Sequence, residues 1–232
     1  LISVGQPFDD GRGITLKTMS LDVSASSTGW AIIVPGDIRR LLETNRPDWL
    51  QLLDVLGISR VSKNWRVFGD GEWSVAHGAW RLKTEWSREG EPHDKLIANL
   101  TTLRRVFGIE NVIYERALTP EQRGGASNPS NDILIELLGA VKLFHFRANM
   151  RLLIGVHRNS WQSDWIGRQP RGTKRKTLIE LIEERAYQLG FTCRKNDEAA
   201  ALGVLTSWLL REKFTPPWLA EEVLRPALGV PA

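Results

Sequence analysis

Three acidic residues stand where strands and helices normally bury apolar side chains: Asp22 inside a strand-like run, Glu115 at the end of NVIYE, and Asp197 at the start of an apolar helix. A carboxylate buried alone costs several kcal/mol or neutralises itself, so burial beside a cation is the economical arrangement. Hard oxygen donors of this kind suit Mg²⁺, with Mn²⁺ able to substitute. Each residue also has a plainer reading. Glu115 at a strand end is compatible with solvation, and Asp197 with Glu198 complements a helix N-terminus. Asp22 resists dismissal, because Ser24, Ser26, Ser27, Thr28 and Gly29 follow it as a turn built for close approach to something polar. A second charged feature lies downstream. Residues 165–179 hold no acid, while Arg168, Arg171, Lys174, Arg175 and Lys176 crowd a loop containing Gly167, Pro170 and Gly172. Such a run is either a solvated surface or a seat for an anionic partner.

The elements that must position these groups follow from periodicity. Residues 19–34 form two strands joined by the small polar turn. Residues 35–75 predict an insertion, with a short helix over 47–56 and a Gly- and Trp-rich loop. A strand is expected over 77–83, and a helix over 94–107 with Leu96, Ile97, Leu100, Leu103 and Phe107 on one face. The strand 111–115, a polar loop 118–129 with Gly124-Gly125, and a helix capped by Asn131 or Asp132 and running to Arg147 come next. A strand over 151–156 leads to the basic loop, then a helix over 177–189 closed by Gly190. The last helix starts at Asn196 or Asp197 and ends at Arg211, before Pro216-Pro217. This is an α/β order. Trp161 and Trp165, just before the basic loop, read as core residues in preference to base-stacking ones. The helix 133–146 is apolar on nearly every side, through Leu134, Leu137, Leu138, Val141 and Phe144, so a homodimer interface would use its surplus.

The 232 residues, 42% hydrophobic, suffice for one core domain with an insertion. No membrane-length apolar stretch and no basic leader occur, which predicts an unexported chain with no membrane partner. Cys193 is the only cysteine, which excludes an internal disulfide and a cluster of zinc-bound thiolates and fits a reducing cytoplasm. The four histidines have no ligand-like spacing in sequence and read as structural or surface residues. Net charge +4 permits an anionic partner without identifying one.

The run LDVSASSTGWAII resembles the first hairpin of RuvC-like Holliday junction resolvases, especially phage-type members, and VIYERA resembles their fourth-strand motif ending in Glu. RGTKRKTLIELIEERAYQLGF is similar to the basic loop and helix that precede the family's terminal acidic motif, which KNDEAAALGVL resembles. The ordered set spans residues 19–211. The resemblance implies an RNase H-like fold, with a central mixed five-stranded sheet flanked by helices. It also implies two-metal hydrolysis of a DNA phosphodiester, with Asp22, Glu115 and Asp197 holding Mg²⁺ or Mn²⁺ and Glu198 as a weaker candidate ligand. Lys174 or Lys176 would stabilise charge at the scissile phosphate, and Arg168, Arg171 and Arg175 would help bind branched DNA, four-way junctions above all. Expected boundaries are an extension over 1–18, the resolvase domain over 19–212 and a tail over 213–232. The expected compartment is the cytoplasm, or that of the host for a phage-encoded chain.

One position departs from the family pattern. Ala200 stands where a second Asp, one helical turn after Asp197, faces the same ions. Glu198 is rotated about 100° from Asp197 on a helix and compensates poorly. Compensation by a neighbour, a natural variant of weakened activity and an introduced, inactivating Asp→Ala change all account for Ala200; the expectation is a nuclease weakened or inactivated there, with a non-catalytic branched-DNA-binding protein as the alternative. An actin-like ATPase shares the Asp and small-residue hairpin, but no second phosphate loop or adenosine motif accompanies it.

Overall fold

A computed structural model of the chain describes residues 16–24, 26–38, 64–117 and 129–223, together with 40, 43 and 51. The expected helix over 47–56, the loop 118–128 and most of the N-terminal extension lie outside the described residues. The strands are β1 (Thr18–Asp22), β2 (Thr28–Pro35), β3 (Trp65–Phe68), β4 (Trp73–Trp80), β5 (Asn111–Glu115) and β6 (Leu152–Val156). The helices are α1 (Glu91–Phe107), α2 (Pro129–Arg147), α3 (Arg158–Ile166), α4 (Arg175–Gln188), α5 (Asn196–Arg211) and α6 (Pro217–Val223). One mixed sheet runs β3-β4-β2-β1-β5-β6, antiparallel through β3, β4, β2 and β1 and parallel from β1 through β5 to β6. This is the RNase H-like arrangement, a mixed sheet covered by helices on both faces.

Among the described residues the sheet has six strands where five were expected. β3 is the addition; it pairs antiparallel with β4 through the Gly69–Gly71 turn, inside the segment read as an insertion loop. Its half-buried WRVF lacks the alternation by which a strand is recognised in sequence. β4 begins at Trp73, earlier than the 77–83 expectation, because pairing along the whole of β2 extends it backwards. The helix α3 was also not anticipated, since residues 158–166 show no clean amphipathic stripe.

Strand alternation sorts side chains onto two cores. Met19, Leu21, Trp30, Ile32 and Val112 face α1 and α2. Ala31, Ile33, Val75, Ile113 and Val156 face α3, α4 and α5. The apolar surplus assigned to α2 is largely absorbed within the chain: Leu137, Leu138, Val141 and Phe144 are buried, and Leu134 packs against the same cluster. What remains outside is a different stripe, Ile135, Leu143 and Phe146, with Phe146 80% exposed. In the tail, α6 is docked: Trp218 is buried and its indole N–H donates to Thr206 Oγ1 at 3.1 Å.

Helix α5 runs across the strands β2 and β1 and is buried from Glu198 to Leu209. Two glycines allow its approach. A Cβ on Gly29 would stand 1.8 Å from the Asp197 carbonyl oxygen, and one on Gly203 would stand 2.7 Å from the Trp161 ring. Backbone cannot retreat as a flexible side chain does. Gly29→Ala is therefore expected to cost at least about 3 kcal/mol, the upper end for overpacking, read as a lowered denaturation midpoint with unchanged m-value.

Candidate active site

Two strand ends and one helix start converge. Asp22 pairs with Gly29 across the hairpin, and the parallel register that sets Leu21 beside Tyr114 continues to place Asp22 beside Glu115. Leu21 and Tyr114 lie on the α1 and α2 side. Their successors Asp22 and Glu115 consequently point to the opposite face, under α5. On that face the Ser20 hydroxyl donates to the Ala201 carbonyl at 2.7 Å, seating α5 on β1. Gly29 brings the Asp197 backbone against β2. Asp22, Glu115 and Asp197 thus come together although 175 positions separate the first from the last.

Their electrostatics follow from this placement. Burial, then the charges of Glu115 and Asp197, hold the Asp22 carboxyl well above its ordinary range, while Arg158 and Arg175 pull it back. Asp197 is likewise raised, by burial first and to a smaller degree by Glu198. A cluster that resists full ionisation on its own is one that a cation relieves. The donors are hard oxygens, the type that Mg²⁺ or Mn²⁺ takes; Asp22 and Asp197 would hold such an ion, with Glu115 adjoining.

Glu115 is 8% exposed and both its oxygens are engaged. Arg158 Nε donates to Oε1 at 2.7 Å, and the Trp161 indole N–H donates to Oε2 at 2.6 Å. Burial opposes the charge of Arg158, but Glu115 and Asp22 outweigh it, so the guanidinium pKa is raised. Arg158 and Trp161 were missed as site residues. Their signal was present only as composition, an Arg and a Trp three apart, because a helix was not recognised there. Trp161 does pack in the core, as its aromatic character predicts, and spends its one polar atom on the carboxylate.

The basic segment lies beside this cluster. Lys174 precedes the first turn of α4, and Arg168, Arg171, Lys174, Arg175 and Lys176 are all exposed. Arg175 is the loop cation whose charge reaches both Asp22 and Asp197. Lys176 is turned outward, 90% exposed and 3.9 Å from Glu180 one turn on. An open, polar groove of about 670 Å³ runs between α3 and this loop, lined by Asn159, Ser163, Arg168, Gln169 and Thr173 among others.

The remaining expected positions are placed as follows. Ala200 is buried at 6% exposure, one turn after Asp197 on the same helical face. Glu198 turns the other way, into the core, where its Oε2 lies 3.0 Å from His77 Nδ1. It is not part of the Asp22 group.

No family model matches the sequence, and no curated protein matches it. Solved structures do resemble it. Thermus thermophilus RuvC superposes with a TM-score of 0.52 at 13% identity, covering 86% of this chain and 98% of that one. The T. thermophilus RuvC complex with a Holliday junction substrate gives 0.52 at 12% identity, with the same coverage. The yeast mitochondrial Holliday junction resolvase Ydc2 gives 0.42 at 15% identity, covering 90% and 80%. At 12–13% identity the likeness to RuvC is one of fold.

The raised pKa of Asp22 has a thermodynamic consequence. Between the ordinary carboxylate value and the raised one, the folded chain keeps a proton that the unfolded chain releases, so metal-free stability falls as pH rises through that window. Asp22→Asn is expected to raise the Tm in chelator at pH 7, with the difference vanishing below about pH 4, as thermal melts across a pH series will record.

Proposed function

We propose that the chain is a structure-specific endonuclease of the RuvC type, acting on branched DNA, four-way junctions in particular, by hydrolysis that depends on Mg²⁺ or Mn²⁺. The observation that carries this reading is the convergence of Asp22, Glu115 and Asp197 on one sheet face, in a fold shared with RuvC and beside an exposed basic loop. Bound divalent metal would supply an activated water and stabilise the leaving oxygen. The chain's own residues do the rest. Asp22 and Asp197 offer the negative oxygens that hold the cation. Arg158 and Trp161 fix the rotamer of Glu115, so its carboxylate is oriented before substrate arrives. The cations Arg168, Arg171, Lys174, Arg175 and Lys176 engage phosphates. Arg175, whose charge reaches the acidic cluster, is the one best placed to offset negative charge on a phosphate seated there, in preference to Lys176.

A second reading, a branched-DNA-binding protein without cleavage, draws on Ala200 and on the engagement of both Glu115 oxygens. One ligand fewer on α5 weakens the hold on at least one ion. The two readings separate on a synthetic four-way junction. Binding should exceed that to linear duplex at matched salt and fall as salt rises. Cleavage by the chain as written should be weak, and Ala200→Asp should restore metal-dependent nicking. Adding Asp22→Asn in that background should abolish nicking by at least about 100-fold, the scale of losing a key electrostatic group, with junction binding retained. Equal affinity for junction and duplex overturns branched-DNA recognition, and unchanged inactivity of folded Ala200→Asp favours the non-catalytic reading.

We further propose that two copies associate through α2, because a four-way junction offers two equivalent strands. Ile135, Leu143 and Phe146 form the exposed apolar stripe that supports it. Phe146→Glu is expected to shift the protein from dimer to monomer at micromolar concentration in sedimentation velocity; a wild-type chain that sediments only as monomer removes the proposal.

A further inference from the structure

A second group of ligating side chains lies under α5 and takes no part in the chemistry proposed above. His77, in the middle of β4, is fully buried on the α5 side of the sheet. Glu198, in the first turn of α5, is 3% exposed, and its Oε2 lies 3.0 Å from His77 Nδ1. Cys193, in the link between α4 and α5, is half-buried. One nitrogen, one sulfur and one oxygen from these three lie within 4.8 Å of one another. Phe191 closes the cluster edge-on to the imidazole at 5.7 Å between ring centroids.

A buried carboxylate requires a cation or several donors. Here the recorded polar partner of Glu198 is one imidazole, and the other nitrogen of that ring, Nε2, is buried with no hydrogen-bond partner among the described residues. The polar groups are thus underused for their depth. We propose that His77, Cys193 and Glu198 form a binding site for a borderline-soft divalent cation, Zn²⁺ being the best match, separate from the oxygen-only cluster of Asp22, Glu115 and Asp197. The donor types decide the metal: imidazole, thiolate and one carboxylate suit Zn²⁺, whereas Mg²⁺ rejects sulfur. Ligand atoms around a tetrahedral zinc stand about 3.5 Å apart. The His77–Glu198 pair already stands at 3.0 Å, and the widest pair in the set needs to close by little more than about 1 Å to reach that spacing. Three protein ligands would leave the fourth position of a tetrahedral site to water, and the half-buried Cys193 is the member of the set nearest to solvent.

Burial, with the charges of Glu198 and Glu183, pushes the Cys193 thiol far up, so the metal-free sulfur keeps its proton. An entering cation displaces the thiol proton, which leaves to solvent, and takes the imidazole in its neutral form, with the single ring proton on the nitrogen that does not face the ion. The occupied site ties β4, the α4–α5 link and the first turn of α5 together. Asp197 adjoins Glu198, so the ion would brace the acidic cluster without belonging to it.

The sole cysteine makes the test specific, because any thiolate-to-metal transition must arise at Cys193. Full-length protein stripped with chelator is titrated with Co²⁺. The expected result is a near-ultraviolet thiolate-to-cobalt band with tetrahedral visible bands at one equivalent, bleached by one equivalent of Zn²⁺ and untouched by excess Mg²⁺. Asp22→Asn should keep these bands. Cys193→Ser should lose the thiolate band, and Glu198→Gln should weaken Zn²⁺ binding by at least about tenfold, with circular dichroism verifying that each variant is folded. Absence of the thiolate band in the wild-type chain overturns the site whatever the variants do. Full retention of Zn²⁺ affinity in folded Glu198→Gln and His77→Gln also overturns it, because the thiol would then bind alone.

Discussion

The seating of α5 on the β1–β2 hairpin is the contact on which the other features depend. The Asp197 carbonyl occupies the volume that a Cβ on residue 29 would need, and the Ser20 hydroxyl satisfies the Ala201 carbonyl from the neighbouring strand. This close approach buries a helix whose sequence, AAALGVLTSWLL, is apolar around most of its circumference. The same approach drives Asp197 toward Asp22 and Glu198 toward His77. Packing energy, spread over α5 and the three helices that cover it, offsets the cost of holding like charges together.

That cost shapes the surroundings of the acidic cluster. Three carboxylates at two strand ends and a helix start repel one another, and burial compounds the repulsion. The chain answers with Arg158 on Glu115 and Arg175 from the basic loop, both on elements that pack beside α5. Arg158 is half exposed and therefore a limited contributor to stability. Its role is geometric: with Trp161 it engages both oxygens of Glu115 and so orients the carboxylate. Gly203 permits this, since a larger residue there would displace the Trp161 ring.

Much of this was legible in the chain itself. The alternation in β1 and β2, the helical stripe of α1, the strand NVIYE and the long apolar run of α5 are local patterns, and local patterns survive folding because each buried face must stay apolar. Asp22, Glu115 and Asp197 stood out for the converse reason, as charges set in apolar frames. β3 and α3 were illegible. The first draws its stability from pairing with β4, the second from packing Trp161 and Trp165 on Gly203, and neither leaves a periodic trace. The apolar excess of α2 was legible in amount but not in placement, since the residues singled out are mostly consumed by the chain's own core.

By itself the amino-acid sequence determined the α/β order, the three carboxylates, the basic segment and the exceptional alanine at position 200. These are matters of residue type, and type needs no coordinates. Tertiary structure alone decided the partnerships. Arg158 and Trp161 clamp Glu115 from 43 and 46 positions away. Arg175 reaches the acidic cluster where Lys176 turns outward to Glu180. Glu198 leaves its neighbour Asp197 for His77, 121 positions distant. The physical reason is rotational. Adjacent residues on a helix diverge by about 100°, so the neighbour in sequence is sent to a different site, and which site that is depends on the strand lying beneath.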